Sequence, residues 1–234
     1  MRGRSYLPLP AGLAQKQAII NIKNHDEKCH MHVGHAALKP AKTHGERVSN
    51  YQRYVDKNGN STLLNYDGIN FPVSFDDFPR FEKQNPGIAA FGFYWDAEEK
   101  RVAPQYISQN LKKFPGAMVI DYLLIQEEEN CEGKIQTKNH WVWIKDLARL
   151  VYGSNKHHDK KHVCRRCTHL FSSEGALKNH EQDCDGVNGK LVQKTKMPDK
   201  GNPEATLKFA NFRKMMPTPF VIYADMEAIM TALN

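Results

Sequence analysis

Four residues have types and spacing that can hold a metal ion: Cys164, Cys167, His180 and Cys184, in the series C-x2-C-x12-H-x3-C. Thiolate and imidazole are donors that zinc takes readily. A C-x2-C pair on a tight turn, facing two donors one helical turn apart, closes a tetrahedral site. Phe171 and Leu177 lie between the donor pairs, where a ββα unit places its small core. A unit of roughly 25 residues buries too little apolar surface to fold alone, so coordination has to supply the difference. The spacing therefore predicts a ββα zinc-binding unit over residues 164–184, with Zn2+ as its cofactor.

In a DNA-reading zinc finger of the C2H2 type, bases are contacted from just before the helix and from its third and sixth positions. Counted back from His180, these are Ser173, Ala176 and Asn179. Ala176 offers no hydrogen bond, and none of the three is an arginine that could meet guanine. One finger also spans only about three base pairs, so sequence-specific control is not expected. Lys156, Lys160, Lys161, Arg165 and Arg166 put five positive charges within eleven residues, against one Asp. That density suits phosphate contact, and it suits a solvated linker equally.

Two further constellations could do chemistry. Near the end of the sequence, Phe220 to Ala224 has the character of a buried strand and is followed by Asp225 and Glu227. Positions i and i+2 of a strand face the same way, and two carboxylates so placed can hold divalent ions for phosphodiester hydrolysis. The plainer alternative is a strand end with two solvated acids. Near the start, Cys29 opens a stretch that suits a helix, and a thiol there feels the positive end of the helix dipole, which lowers its pKa. His140, on a late strand, could serve as its base. His25, His30, His32 and His35 cluster around Cys29. On a helix only His32 with His35, or Cys29 with His32, could chelate together. The simpler expectation is histidines on a helix surface. Cys131, in the acidic stretch EEENCEGK, has no partner in this scheme.

The elements that must position these groups follow from periodicity and punctuation. Residues 1–14 are a proline-punctuated arm expected to lie on the next domain. Residues 15–154 read as one α+β domain. A short strand is expected at 18–22 and helices at 29–38, 46–55 and 75–84. Strands at 88–95, 105–108, 117–126 and 139–145 then form a largely antiparallel sheet, and a helix at 146–152 closes the domain. Residues 155–163 are a basic linker into the 164–184 unit. Residues 185–217 are a linker in which Gly186, Gly189, Pro198, Gly201 and Pro203 rule out a long helix, and residues 218–234 carry the terminal strand.

Composition narrows the classes. The 234 residues carry a net charge of +7 and are 40% hydrophobic, enough for a true core and a mild attraction to anionic partners. Five cysteines are an odd number; three belong to the 164–184 series, leaving Cys29 and Cys131. A disulfide framework is therefore not expected, and a reducing, intracellular compartment is. No apolar run approaches a membrane span, and Pro8 and Pro10 interrupt the only apolar stretch near the N-terminus, so neither membrane nor secretion is expected.

Two resemblances add to this. Asp26-x-x-Cys29, with His140-Trp141 late in the domain, resembles the layout of papain-like thiol proteases, notably the ovarian-tumour-type deubiquitinases. It implies Cys29 as nucleophile, His140 as base and Asp26 as triad or oxyanion support, on a papain-like domain. The second covers nearly the whole chain. SYLPLP, AIINIKNHDEKC, INFPVSFDDFPRFEKQN, NHWVWIKDLARLVYG, the single finger and PFVIYADMEA occur here in that order. So arranged, the chain resembles the N-terminal region of protein-primed-type family B DNA polymerases of Polinton (Maverick) and related virus-like elements. In that family Asp225-x-Glu227 would be the first motif of a DnaQ-like 3′–5′ exonuclease domain, and a polymerase domain would follow. The resemblance implies nucleic acid, and a terminal or primer protein, as partners, Mg2+ in a complete enzyme, and residence in the nucleus. A two-metal site needs acids from several strands, so this stretch is expected to have neither polymerase nor exonuclease activity by itself. Two alternatives stay open: a thiol hydrolase using Cys29 and His140, and an orphan protein with a structural zinc site.

Overall fold

Three stretches, IAAFGFYW at 88–95, MVIDYLLI at 118–125 and HWVWI at 140–144, run almost unbroken through apolar residues. Strands of that kind are buried on both faces. The computed structural model, which describes residues 6–131, 134–152 and 160–184, builds them into the middle of a five-stranded sheet. In chain order its strands are β1 (Ile19–Ile20), β2 (Ile88–Asp96), β3 (Arg101–Tyr106), β4 (Met118–Cys131) and β5 (Lys134–Ile144). Their spatial order is β1-β5-β4-β2-β3. Neighbours are antiparallel except β2 and β4, which run parallel from Ile88↔Met118 to Tyr94↔Leu124. The architecture is thus mixed α+β with a mostly antiparallel sheet. β3 forms an edge of the sheet, the position at which a strand proline such as Pro104 is tolerated.

The helices are α1 (Ala11–Ala14), α2 (Cys29–Leu38), α3 (Phe78–Gln84), α4 (Asn110–Lys113) and α5 (Leu147–Val151). They cover both sides of the sheet. Ile120, Tyr122, Leu124 and Trp141 belong to a core shared with Cys29, Val33 and Ala36 of α2 and with Phe78 and Phe81 of α3. Their chain neighbours Leu123, Ile125 and Val142 belong to a second core with Leu7, Leu13, Leu147 and Leu150. This alternation is what the two-residue period of a strand requires. Leu7 and Leu13 are buried, so the segment expected to be an arm over residues 1–14 supplies two side chains to this second core.

α2 lies where periodicity placed it and ends before Pro40, which cannot continue a helix. Its sequence, CHMHVGHAAL, contains no Asp, Glu, Lys or Arg, and residues 29–37 are all buried. A helix without a polar face has to be enclosed. Gly34 permits the enclosure: a Cβ there would lie 2.5 Å from the Leu64 side chain and 3.1 Å from the Tyr122 hydroxyl.

The helix expected at 46–55 is instead two 3-10 turns, Val48–Asn50 and Gln52–Tyr54. The Asn50 amide donates to the His44 carbonyl at 2.8 Å, and the Tyr51 hydroxyl donates to the Gly45 carbonyl at 2.9 Å. Bonds of this kind back onto the preceding loop compete with a continuous helical ladder. The helix expected at 75–84 begins as a 3-10 turn, Phe75–Asp77, behind a Ser74–Asp77 capping box, and becomes α3 at Phe78.

The remaining described elements are β6 (His162–Val163), β7 (Leu170–Phe171) and α6 (Glu174–Asp183). β6 belongs to a stretch that was expected to be linker, so the small unit starts before its first cysteine. The expected linker at 185–217 and the terminal strand bearing Asp225 and Glu227 lie outside the described residues, as does Lys156.

Candidate metal centre

The β6–β7 hairpin is closed by the C-x2-C turn. The Thr168 N–H donates to the Cys164 carbonyl at 2.7 Å, and the Cys164 N–H donates to the His169 carbonyl at 2.9 Å. Thr168 takes the left-handed conformation that such a turn needs, with φ of 58°. α6 starts at a real cap, where the Ser173 hydroxyl accepts the Ala176 N–H at 3.2 Å. From this helix His180, and Cys184 at its C-terminal boundary, return toward the turn. Phe171 and Leu177 pack against the cysteines, as the spacing anticipated.

The donor atoms of Cys164, Cys167, His180 and Cys184 all lie within 4.8 Å of one another. Cys164 Sγ is 3.8 Å from Cys184 Sγ, and Cys167 Sγ is 3.2 Å from His180 Nε2. A tetrahedron with Zn–S near 2.3 Å has edges of roughly 3.8 Å between sulfurs, slightly less from sulfur to nitrogen. The four residues therefore lie close enough to hold a metal ion and are compatible with zinc. Among the described residues no other group of three or more His, Cys, Asp or Glu side chains converges in this way.

The two arginines inside the turn are engaged with the fold. Arg165 donates from Nε and Nη2 to the two carboxylate oxygens of Asp121 on β4, at 2.8 and 3.0 Å. Arg166 Nη1 donates to the Glu181 and Cys184 carbonyls at 2.8 and 3.1 Å, satisfying acceptors at the C-terminal end of α6. Both guanidiniums therefore have partners within the fold. Of the lysines there, Lys160 is exposed and Lys161 Nζ lies 5.9 Å from the Tyr152 ring centroid. Of the three base-reading positions, Ser173 is spent on its cap, Ala176 is half-buried and Asn179 is exposed.

The thiol constellation is arranged differently from its expectation. Cys29 is buried, and its sulfur accepts the Trp141 N–H at 3.5 Å. Burial pushes its thiol up to about 11, opposite to the activation expected from the helix N-terminus. His140 and Trp141 are consecutive on β5, so their side chains leave opposite faces. Trp141 faces α2 and Cys29, whereas His140 Nε2 bonds Asn21 Oδ1 at 2.8 Å and the ring meets Tyr6 edge-on. The sheet separates the proposed base from the proposed nucleophile. Asp26 supports neither: its carboxylate accepts from His32 Nε2 at 3.1 Å, from the Asn24 amide at 2.8 Å and from the Lys28 N–H at 3.1 Å. Partial burial opposes ionisation, but these bonds hold the carboxyl well below the usual range.

The histidines of α2 are core residues, not the surface residues expected; His25, before the helix, is exposed. His30 stacks on Tyr122 at 4.1 Å between centroids, with Phe78, Phe81 and Trp141 edge-on around it. Its Nδ1 bonds the Tyr66 hydroxyl at 2.9 Å. Burial lowers its pKa to about 3. Burial, and the neighbouring His32, lower that of His35 to about 4, while its Nε2 is hydrogen-bonded with the Ser61 hydroxyl at 2.6 Å. His32 and His35 stand edge-on, 6.3 Å between centroids, and bond different partners. The signal that could have placed them was the missing polar face of α2. The buried Asp121–Arg165 pair had a signal too, since Asp121 is the one charge in MVIDYLLI.

Comparison of the chain with protein-family models, with curated proteins and with solved structures gave no match.

Proposed function

We propose that this chain is a zinc-binding module of the nucleic-acid-handling type, corresponding to the N-terminal region of a family B DNA polymerase from a mobile or virus-like element. The observation that carries the proposal is the convergence of Cys164, Cys167, His180 and Cys184 within 4.8 Å. Three sulfurs and one nitrogen would fill all four positions of a tetrahedral ion and leave none for water, the mark of a structural site rather than a catalytic one. The unit is then a ββα zinc finger of CCHC donor type. The order of motifs along the chain supports the polymerase assignment, and the net charge of +7 supports a polyanionic partner. Contact with nucleic acid would be weak, salt-dependent and indifferent to sequence, because Arg165, Arg166 and Ser173 are bound within the fold. A terminal or primer protein is the second partner the assignment implies, with the nucleus as the compartment.

Native mass spectrometry and metal analysis test the first half; the expected result is one zinc per chain, lost in Cys164→Ser. Duplex and single-stranded DNA titrations at rising salt test the second. Retention that falls steeply with salt and is alike for unrelated sequences supports it. No retention at low salt leaves a purely structural zinc protein.

A further inference from the structure

The small unit is bound into the sheet that it follows. Val163 of β6 is buried in the second core with Phe91 of β2 and Leu123 of β4. Arg165 grips Asp121 with two parallel bonds, at 2.8 and 3.0 Å. Asp121 and Phe91 are partners in the parallel β2–β4 register, and the guanidinium carbon lies 5.8 Å from the Phe91 ring centroid. The Asp121 side chain is only 7% exposed. A buried carboxylate that loses its cation is left desolvated and unpaired, a strongly destabilising condition. The turn also reaches the other way, since Arg166 holds the end of α6 from which His180 and Cys184 return.

The C-x2-C turn therefore has one arginine on the sheet and one on the helix, with two of the metal donors at its ends. Beyond Val163 and Leu170, which pack on the second core, the unit has little apolar surface of its own. β6 and β7 are two residues each, and the unit's own core is Phe171 and Leu177 against the cysteines. A unit so small takes its order from coordination.

We infer that the metal centre is a clasp on the sheet: an ion held by Cys164, Cys167, His180 and Cys184 fixes the turn that presents Arg165 to Asp121, and loss of the ion releases the hairpin and uncovers the Phe91–Leu123 face. The inference rests on the proposal that these four residues bind zinc. It gives the ion a role in the α+β domain rather than in base reading, and it makes exposure of one sheet face depend on metal.

Hydrogen exchange read by mass spectrometry on the zinc-loaded full chain, before and after removal of the ion by a chelator, tests it. Amides of 119–125 and 89–93 should exchange at least about tenfold faster once the ion is gone. Those of 29–38, on the other face, should change much less. Asp121→Leu removes the buried charge together with the grip. It should retain one zinc per chain, and its sheet amides should no longer respond to the chelator. Unchanged exchange at 119–125 after metal analysis shows the ion gone would overturn the clasp while leaving the zinc site standing. So would a full response in Asp121→Leu. A chain that binds no zinc at all removes both the site and the clasp.

Discussion

α2, and α6 with the Cys184 that follows it, each present cysteine and histidine at spacings that suit a shared ligand, and the fold treats them in opposite ways. In α6 and at its boundary, His180 and Cys184 converge on Cys164 and Cys167. In α2, Cys29, His30, His32 and His35 disperse: to the Trp141 amide, to Tyr66, to Asp26 and to Ser61. What differs is the rest of each helix. EGALKNHEQD is polar almost throughout and has one apolar anchor, Leu177, so beyond that anchor and the Arg166 bonds at its end it depends on its donors to hold it in place. CHMHVGHAAL has no charge and is enclosed on every side, so each histidine is claimed by the wall it faces. The same residue types converge into a cluster that can hold a metal ion where apolar surface is scarce, and become core packing where it is abundant.

The largest effect that would sharpen this contrast is loss of a donor. Cys184→Ser should take the zinc content from one per chain to near zero and abolish the circular-dichroism change on adding zinc to stripped protein. Apparent zinc binding free energies in such units are about 10–16 kcal/mol, so order in 160–184 should depend on the ion. Cys29→Ser should leave zinc content unchanged. If Cys29→Ser also lost the ion, the two helices would not differ as described.

Next is His30. His30→Ala removes a buried ring stacked on Tyr122 and should lower stability to denaturant by about 3–5 kcal/mol, as for a large-to-small aromatic change. His25→Ala, at an exposed position, should stay within about 0.5 kcal/mol. Equal values for the two would contradict the burial of α2.

A pH effect should follow from the same residues. The pKa values of His30 and His35 lie at about 3 and about 4 in the folded chain, below the ordinary 6.5. Groups depressed in this way favour the folded state above 6.5, where both states are neutral. That advantage is lost as pH falls from 6.5 toward 4 and then 3, because the unfolded chain takes up protons first. Urea midpoints measured on zinc-stripped protein should therefore drop between pH 7 and 4.5, with a shallower drop in His30→Gln. A flat profile would place these rings in water.

The smallest expected effect concerns reactivity. With its thiol pushed up to about 11 and buried, Cys29 should resist iodoacetamide and electrophilic ubiquitin probes at pH 7.5 in the native chain. Labelling abolished by Cys29→Ala would bring back the thiol-hydrolase alternative.

Much of the architecture was legible in one dimension. The extents of α2 and β2 follow from breakers and periodicity, and the C-x2-C-x12-H-x3-C series names its own cluster because local spacing alone sets that geometry. Local rules gave out where a distant side chain decides. The stretch 46–55 has a helical period, but Asn50 and Tyr51 bond back to the loop before it. Cys29 and His140 have the spacing of a dyad, but which face of β5 meets α2 is set by register with β4.

By itself, then, the sequence determined the donor set of the candidate metal site and the α+β class, each a matter of local spacing or composition. Only the tertiary structure decided that Arg165 meets Asp121 44 residues away, that the parallel β2–β4 pair sits at the centre of the sheet, and that a thiol and an imidazole expected to cooperate lie on opposite sides of it. The physical reason is the alternation of a strand: a shift of one residue exchanges its two faces, and only long-range pairing chooses between them.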